Sequence, residues 1–519
     1  MRRLLPLLLA AWLALSLAGC AEPSPLPSPS EEPTPSPSAA PEAVRFSLGY
    51  DPAASLHPLA GSSQVNQELT GLVYQGLYEL DNQFTAHPVL AASAAPAEDG
   101  LSWAVTLKSG AVFSDGTPLT AHHAAASLNA ARAAGPYAPR LADVAGAWAA
   151  DDATLVISLA APNGSLPALL DVPIVLEQEE GPPLGTGYYQ YEAAGERLYL
   201  QANPRHSGAA ALPYAVISLT PVSGADERVA AFDSGAVTAV TTRFASPYAL
   251  GYSSSYETCD YPTTTLLYVG MRCSGGPCQS ALVRRAVSRA VDRAGIVQTL
   301  LSGHADPACL PISPLHGEYA GEMAALLDFD MEQAAALLAE AGYGRSEEDG
   351  LLYRRREALS LTLLVNSDNE SRQGAADAVA GALRSLGVSV TVNTLPWEGY
   401  AAALAAGRFD LYLGEVSLTG DFDPAPLLSG ALNYGGHESW ELGQALDAWR
   451  AARGDGRAQA AEELWARFAK EVPIAPVCFQ RGSLLVRWGM ASNLQPTRGN
   501  PFYRMEEWTT TAVSKKLFQ

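Results

Sequence analysis

Leu69–Asn129 reads LTGLVYQGLYELDNQFTAHPVLAASAAPAEDGLSWAVTLKSGAVFSDGTPLTAHHAAASLN. Its apolar spacing lays out a helix, a turn, a hairpin and a second helix. Leu69, Leu72, Val73 and Leu77 fall near helical spacing within 67–78. Asp81-Asn82 is a turn signal. Leu101, Trp103, Val105 and Leu107 alternate on one face, the pattern of a half-buried strand. Ser109-Gly110 and Asp115-Gly116 break the chain on either side of Val112-Phe113. Thr120 is placed to cap a helix running through Ala130. Asp99 and Asp115 read as turn residues rather than as chemistry.

The same residues carry a family likeness. Gly76-Leu77, Asp81, Pro88, Leu90-Ala91 and Ser93 form the first half of a signature. Asp99-Gly100, Trp103, Leu107-Lys108, Gly110, Phe113-Ser114-Asp115-Gly116, Pro118 and Thr120-Ala121 form the second. In this order and spacing they resemble the family 5 extracellular solute-binding proteins, the peptide, nickel and oligosaccharide receptors of ABC importers. The likeness runs from about Val44 to the C-terminus. It implies an α/β, three-lobe, periplasmic-binding-protein-like fold, with a discontinuous first lobe and mixed sheets closing over ligand by a hinge. The expected lobes are I (43–73, 184–265 and 480–519), II (74–183) and III (266–479).

Upstream of this stretch, Arg2-Arg3 and the apolar run Leu4–Leu17 form a secretory signal ending in Leu17-Ala18-Gly19-Cys20. The run is shorter than the ~20 residues of an ordinary transmembrane helix. Cys20 after a small-residue site resembles a bacterial lipobox, which implies a diacylglyceryl group on its thiol and Cys20 as the mature N-terminus. Two acyl chains give stable anchoring. Residues 21–42 are rich in Pro, Ser, Glu and Ala and bury nothing, so they read as a disordered tether. About 480 residues remain, enough for about three lobes with sizeable cores. A net charge of −21 argues against nucleic acid and against docking on anionic lipid.

Besides Cys20 there are Cys259, Cys273, Cys278, Cys309 and Cys478. An exported protein can form disulfides. Cys273-Ser-Gly-Gly-Pro-Cys278 could bridge internally, and an odd count leaves at least one free thiol. The spacing fits no common zinc pattern.

Downstream, Leu155–Leu159 and Leu266–Met271 read as strands. Gly185-Thr186-Gly187-Tyr188-Tyr189 resembles the family's "GTGPY" turn, with Tyr188 in place of proline. Val283-Arg284-Arg285-Ala286 through Ala290-Val291-Asp292-Arg293 is an amphipathic helix, with Arg284, Asp292 and Arg293 read as a structural ion-pair network. Asp330 caps the helix from Met331, and Gly342, Gly387 and Gly407 end three helices. Strands at 359–365, 388–392 and 409–414 alternate with these helices, as a mainly parallel sheet does. Two further strands are expected at 474–479 and 484–486.

The chain contains no G-x-S-x-G, H-E-x-x-H, Walker A or C-x-x-C motif. His122 and His123 are adjacent and point about 100° apart on a helix, a poor arrangement for one metal. No catalysis, cofactor or metal is expected. The informative segment is Phe409-Asp410-Leu411-Tyr412-Leu413-Gly414-Glu415 through Gly420-Asp421-Phe422-Asp423-Pro424. It resembles the family segment whose first terminal Asp meets a peptide's α-amino group, a position held by Asp421. Glu415 stands where the family has an aromatic residue, and Arg272 where it has Asn. With Trp397, these form the candidate ligand set: acidic groups for an amine, Arg272 for a carboxylate. The expected protein is a monomeric, lipid-anchored receptor on the extracytoplasmic face. It captures oligopeptides or dipeptides between lobes I and III for an ABC permease and ATPase complex. Nickel chelates or oligosaccharides are the alternative ligands, and a secreted hydrolase is the contrasting class.

Overall fold

The computed structural model describes residues 45–243 and 250–510. The expected lipobox at Cys20 and the tether at 21–42 lie outside the described residues. The quoted stretch keeps its helices and the strand near 101–107, but the structure adds the strands Tyr78–Leu80, Ala86–Pro88 and Ala91–Pro96 and breaks the first helix. The first helix is two short pieces, Gln64–Glu68 and Thr70–Val73, and the chain is extended again at Tyr74. Gly76 follows in the extended segment, packed so closely on the Leu170 and Tyr78 carbonyls that a side chain would collide with both. The strand Ser102–Leu107 follows. Thr120 then starts the helix Ala121–Ala133, and its backbone N–H donates to His123 Nδ1 at 3.1 Å. His123 thus completes a capping box, while His122 reaches Asp152 at 3.7 Å.

Three sheets carry the architecture. In the first, Phe46–Tyr50 runs parallel to Val216–Pro221, followed by Arg197–Ala202 and Tyr189–Ala194. The second is an antiparallel sheet in the order Ala91–Pro96, Ser102–Leu107, Thr154–Leu159, Val144–Ala149. The third is seven-stranded and mixed. Ser360–Asn366 pairs in parallel with both Ser389–Leu395 and Leu411–Ser417, and its remaining pairings are antiparallel. Buried side chains form two large cores. Residues of the first two sheets share one with Leu484, Val486 and Trp508; residues from Leu266 to Phe479 make the other, which also takes in Phe84.

Two strands of the third sheet are long: Tyr256–Met271 and Ile474–Arg487. The sequence suggests two strands in the second region, because Gln480-Arg481-Gly482-Ser483 reads as a break. The structure shows one strand, since those four residues pair with Tyr261, Pro262, Asp260 and the short strand Ala305–Pro307. Both strands run across the expected lobe boundaries at 265/266 and 479/480. Their register shifts between Pro262 and Leu266, so the crossing point is a bulge, which locally bends and twists a strand pair.

Arg284 and Arg293 are structural, though not as ion pairs. Both are buried, and both donate to backbone carbonyls: Arg284 to Glu471 and Cys278, Arg293 to Ala308, Pro476 and Leu327. Asp292 instead caps the next helix through the Gly295 N–H. All five described cysteines are free thiols, including Cys273 and Cys278.

Candidate functional site

A cavity of about 330 Å³ opens where the crossing strands meet the first two sheets. Its floor comes from the bulge: Tyr261, Thr263 and Thr265, with Ser417 on the neighbouring strand. These hydroxyls are fixed by the strands themselves. Thr263 Oγ1 donates to the Gln480 carbonyl at 2.5 Å, and Thr265 Oγ1 meets Ser417 Oγ at 2.9 Å. Three consecutive threonines in a sheet interior suit β propensity. Here Thr263 and Thr265 also line the cavity with polar groups that need no charge, while Thr264 between them donates to the Leu418 carbonyl.

The walls carry both signs of charge. Glu68, at the end of the helix Gln64–Glu68, accepts from Arg228 at 2.6 Å and from Thr241 Oγ1. Opposite it, Arg140 donates to Asp171. The Arg140 guanidinium lies 5.1 Å from the centre of the Tyr137 ring, within cation–π range. Burial pushes the Tyr137 hydroxyl up to about 12, against the pull of Arg140. Arg498, which also lines the cavity, adds a weaker pull on the same hydroxyl. The lining contains no histidine or cysteine. Among the described residues, no group of three or more His, Cys, Asp or Glu side chains is placed to hold a metal ion. The lining therefore offers a polar solute groups of both charges together with hydroxyls.

The four candidate residues read from the sequence stand outside this lining. Asp421 is 4% exposed; it accepts from Asn163 Nδ2 of the second sheet's lobe at 2.9 Å and from Thr419 Oγ1 at 2.5 Å. Glu415 is held by Arg372 at 2.6 and 3.3 Å and by Gln480 Nε2 at 2.9 Å. Arg272 donates to Asp410 at 3.3 Å. Trp397 is 58% exposed at the start of the helix Trp397–Ala405, stacked on Tyr400. The first three thus have protein partners, and the fourth faces outward. The lining residues Glu68, Tyr137, Arg140, Asp171 and Arg498 left no mark in the sequence. The triple threonine is the one local signal that could have pointed to the cavity.

Beside Asp421, Asp423 makes a further long-range contact: its carboxylate meets Arg450 Nε at 3.0 Å, and Arg450 also reaches Asp143, next to the second sheet. Burial and the neighbouring Asp421 raise the Asp423 carboxyl to about 6, although Arg450 opposes them.

Comparison with known proteins gives the family. The "Oligopeptide-binding protein AppA" of Bacillus subtilis (strain 168) is 22% identical over 488 residues, 87% of this chain and 88% of the relative. The "Glutathione-binding protein GsiB" of Salmonella typhimurium is 26% identical over 397 residues, 71% of this chain and 74% of the relative. Among solved structures, HbpA2 from Haemophilus parasuis superposes with a TM-score of 0.73 at 19% identity, covering 90% of this chain and 99% of that one. That likeness shows the fold. The family described as bacterial extracellular solute-binding proteins, family 5, matches residues 85–438, and the chain belongs to that family.

Proposed function

We propose that this protein is a lipid-anchored receptor of an ABC importer, binding a short peptide in the inter-lobe cavity and passing it on without chemical change. The observation that carries the reading is the lining of that cavity: carboxylates, guanidiniums and hydroxyls together, as a zwitterion requires. Small-molecule sites are mostly apolar. A cavity read by hydrogen bonds instead discriminates strongly, because a wrong ligand leaves buried polar groups unpaired. About 330 Å³ sits at the small end of ligand sites, which suits a ligand of two or three residues.

The relatives' names, oligopeptide-binding and glutathione-binding, support a peptide over a sugar. Cys20 supplies the anchor, and the permease and ATPase are the partners. Titration calorimetry against dipeptides, tripeptides, nonapeptides, maltose and nickel–histidine tests the reading. We expect one-to-one binding of a dipeptide or tripeptide, with no change in the recovered peptide. Tight binding of maltose or nickel–histidine with no peptide binding would overturn it.

A further inference from the structure

A second recess, about 80 Å³, adjoins the main cavity and shares Thr70, Tyr137, Asp171 and Gly499 with it. Its character differs. Tyr74, Tyr78, Tyr137, Tyr188 and Tyr503 line it, together with Glu79. Burial, a hydrogen bond to Glu506 at Tyr188, and the Glu79 charge together hold the Tyr188 and Tyr503 hydroxyls protonated. The Glu79 carboxylate makes no hydrogen bond or ion pair with any described residue.

The cations around Glu79 are engaged elsewhere. His87 Nε2 is bound to Asp81 at 2.8 Å. Lys108 Nζ donates to the Pro88 carbonyl at 3.0 Å. Arg504 pairs with Glu507 at 3.2 Å and lies over the outer tyrosine, Tyr503, 5.5 Å from the ring centre. Nearby Glu506 adds negative charge and meets the Tyr188 hydroxyl. Glu79 thus lacks a hydrogen-bonded counter-ion, and burial raises its carboxyl above the usual carboxylate range, although His87, Arg504 and Lys108 pull it back; a cation bound in the recess would restore its charged form. Aromatic faces carry negative charge density, and a cation held against them inside a desolvated pocket gains more than at a surface.

We propose that this recess is a subsite for a cationic group of the ligand, an ammonium or guanidinium on a short methylene chain. Glu79 is its specificity-determining residue, and the tyrosine faces are its walls. The proposal rests on the reading of the adjoining cavity as the binding site. At about 80 Å³ against about 330 Å³ for the main cavity, the recess is the smaller of the two, which suits a charged head group on a short chain. A carboxylate or a neutral amide there would leave the Glu79 charge unpaired, so the subsite selects by charge as well as by size.

The test uses full-length protein and tripeptides of alanine with lysine at the first, second or third position, each against its norleucine counterpart. Calorimetry should show one lysine peptide binding at least about tenfold tighter than its norleucine partner. Glu79→Gln should reduce that preference to about threefold or less, with the norleucine peptide held within about twofold. Equal affinities in the wild type, or an undiminished preference in the variant, would overturn the subsite. A second probe is independent of peptides. n-Butylammonium, but not n-butanol, should perturb the Tyr188 and Tyr503 resonances of the wild type and not of Glu79→Gln. If butylammonium binds and no tripeptide does, the subsite stands and the peptide reading falls. If tripeptides bind without a lysine preference, the subsite falls alone; if neither probe binds, both fall.

Discussion

At the scale of single residues, Asp421 separates two kinds of contribution. The family likeness sets it against a peptide's amino group, while the structure fills its oxygens with Asn163 and Thr419 and buries it. We propose that Asp421 acts on binding by holding the second and third lobes together. Asp421→Asn keeps the shape and removes the charge, which weakens hydrogen bonds to a charged acceptor by about 1 kcal/mol. Peptide affinity should therefore fall roughly fivefold. The fall should be the same for free and N-acetylated peptide. Calorimetry with both peptides checks this; a larger loss confined to the free peptide would return Asp421 to the role of amino-group partner.

At the scale of elements, the bulge between the crossing strands positions the cavity floor. Gly482 faces Tyr261 across those strands, and a Cβ there would collide with the buried ring. Its backbone conformation is open to other residues, so the obstacle is space alone. Gly482→Ala should displace the Tyr261 ring from the lining and weaken peptide binding by about tenfold, for a stability loss within the 1–3 kcal/mol usual for overpacking. Calorimetry and urea unfolding measure the two effects. The helix Trp440–Ala451 makes a second such contact through Arg450, Asp423 and Asp143. Asp423, raised to about 6, keeps a proton in the folded state that the unfolded chain has already released. Its contribution is therefore greatest below about pH 4 and lost as pH rises through about 6. Asp423→Asn should remove that slope, gaining about 1–3 kcal/mol relative to wild type between pH 4 and pH 7. Urea midpoints at several pH values show it; parallel curves would refute it.

These elements also show where sequence reading stops. The caps at Thr120 and Asp330, and the positive φ of Gly342, Gly387 and Gly407, were legible because each is set within a few residues. The unbroken strand Ile474–Arg487 was not: Gln480 to Ser483 looks polar until its partners, 175 to 223 positions away, are known. The cavity failed for the same reason. Glu68, Asp171 and Thr263 are ordinary residues, and only the fold brings them to one wall.

At the scale of the whole molecule, the anchor and the body make separate predictions. Cys20→Ser should abolish acylation, so that the protein leaves the detergent phase in a phase-partition assay and accumulates as uncleaved precursor or released protein. Ligand affinity should not change, because the cavity is built wholly from the body, Gln64 to Pro501. Persistence of processed protein in the detergent phase would remove the lipobox reading.

The body belongs to an extracytoplasmic family, yet its five described thiols are all reduced. Four are buried, and burial raises Cys273 and Cys309 to about 11 and Cys478 to about 12. Thiolate, not thiol, is what an oxidant attacks, so the finished fold shelters these sulfurs. The nascent exported chain has no such shelter, and its folding is a race against oxidation. Oxidised glutathione added at the start of refolding should lower the yield of ligand-binding protein, whereas the same dose after folding should not. Equal yields would overturn this prediction.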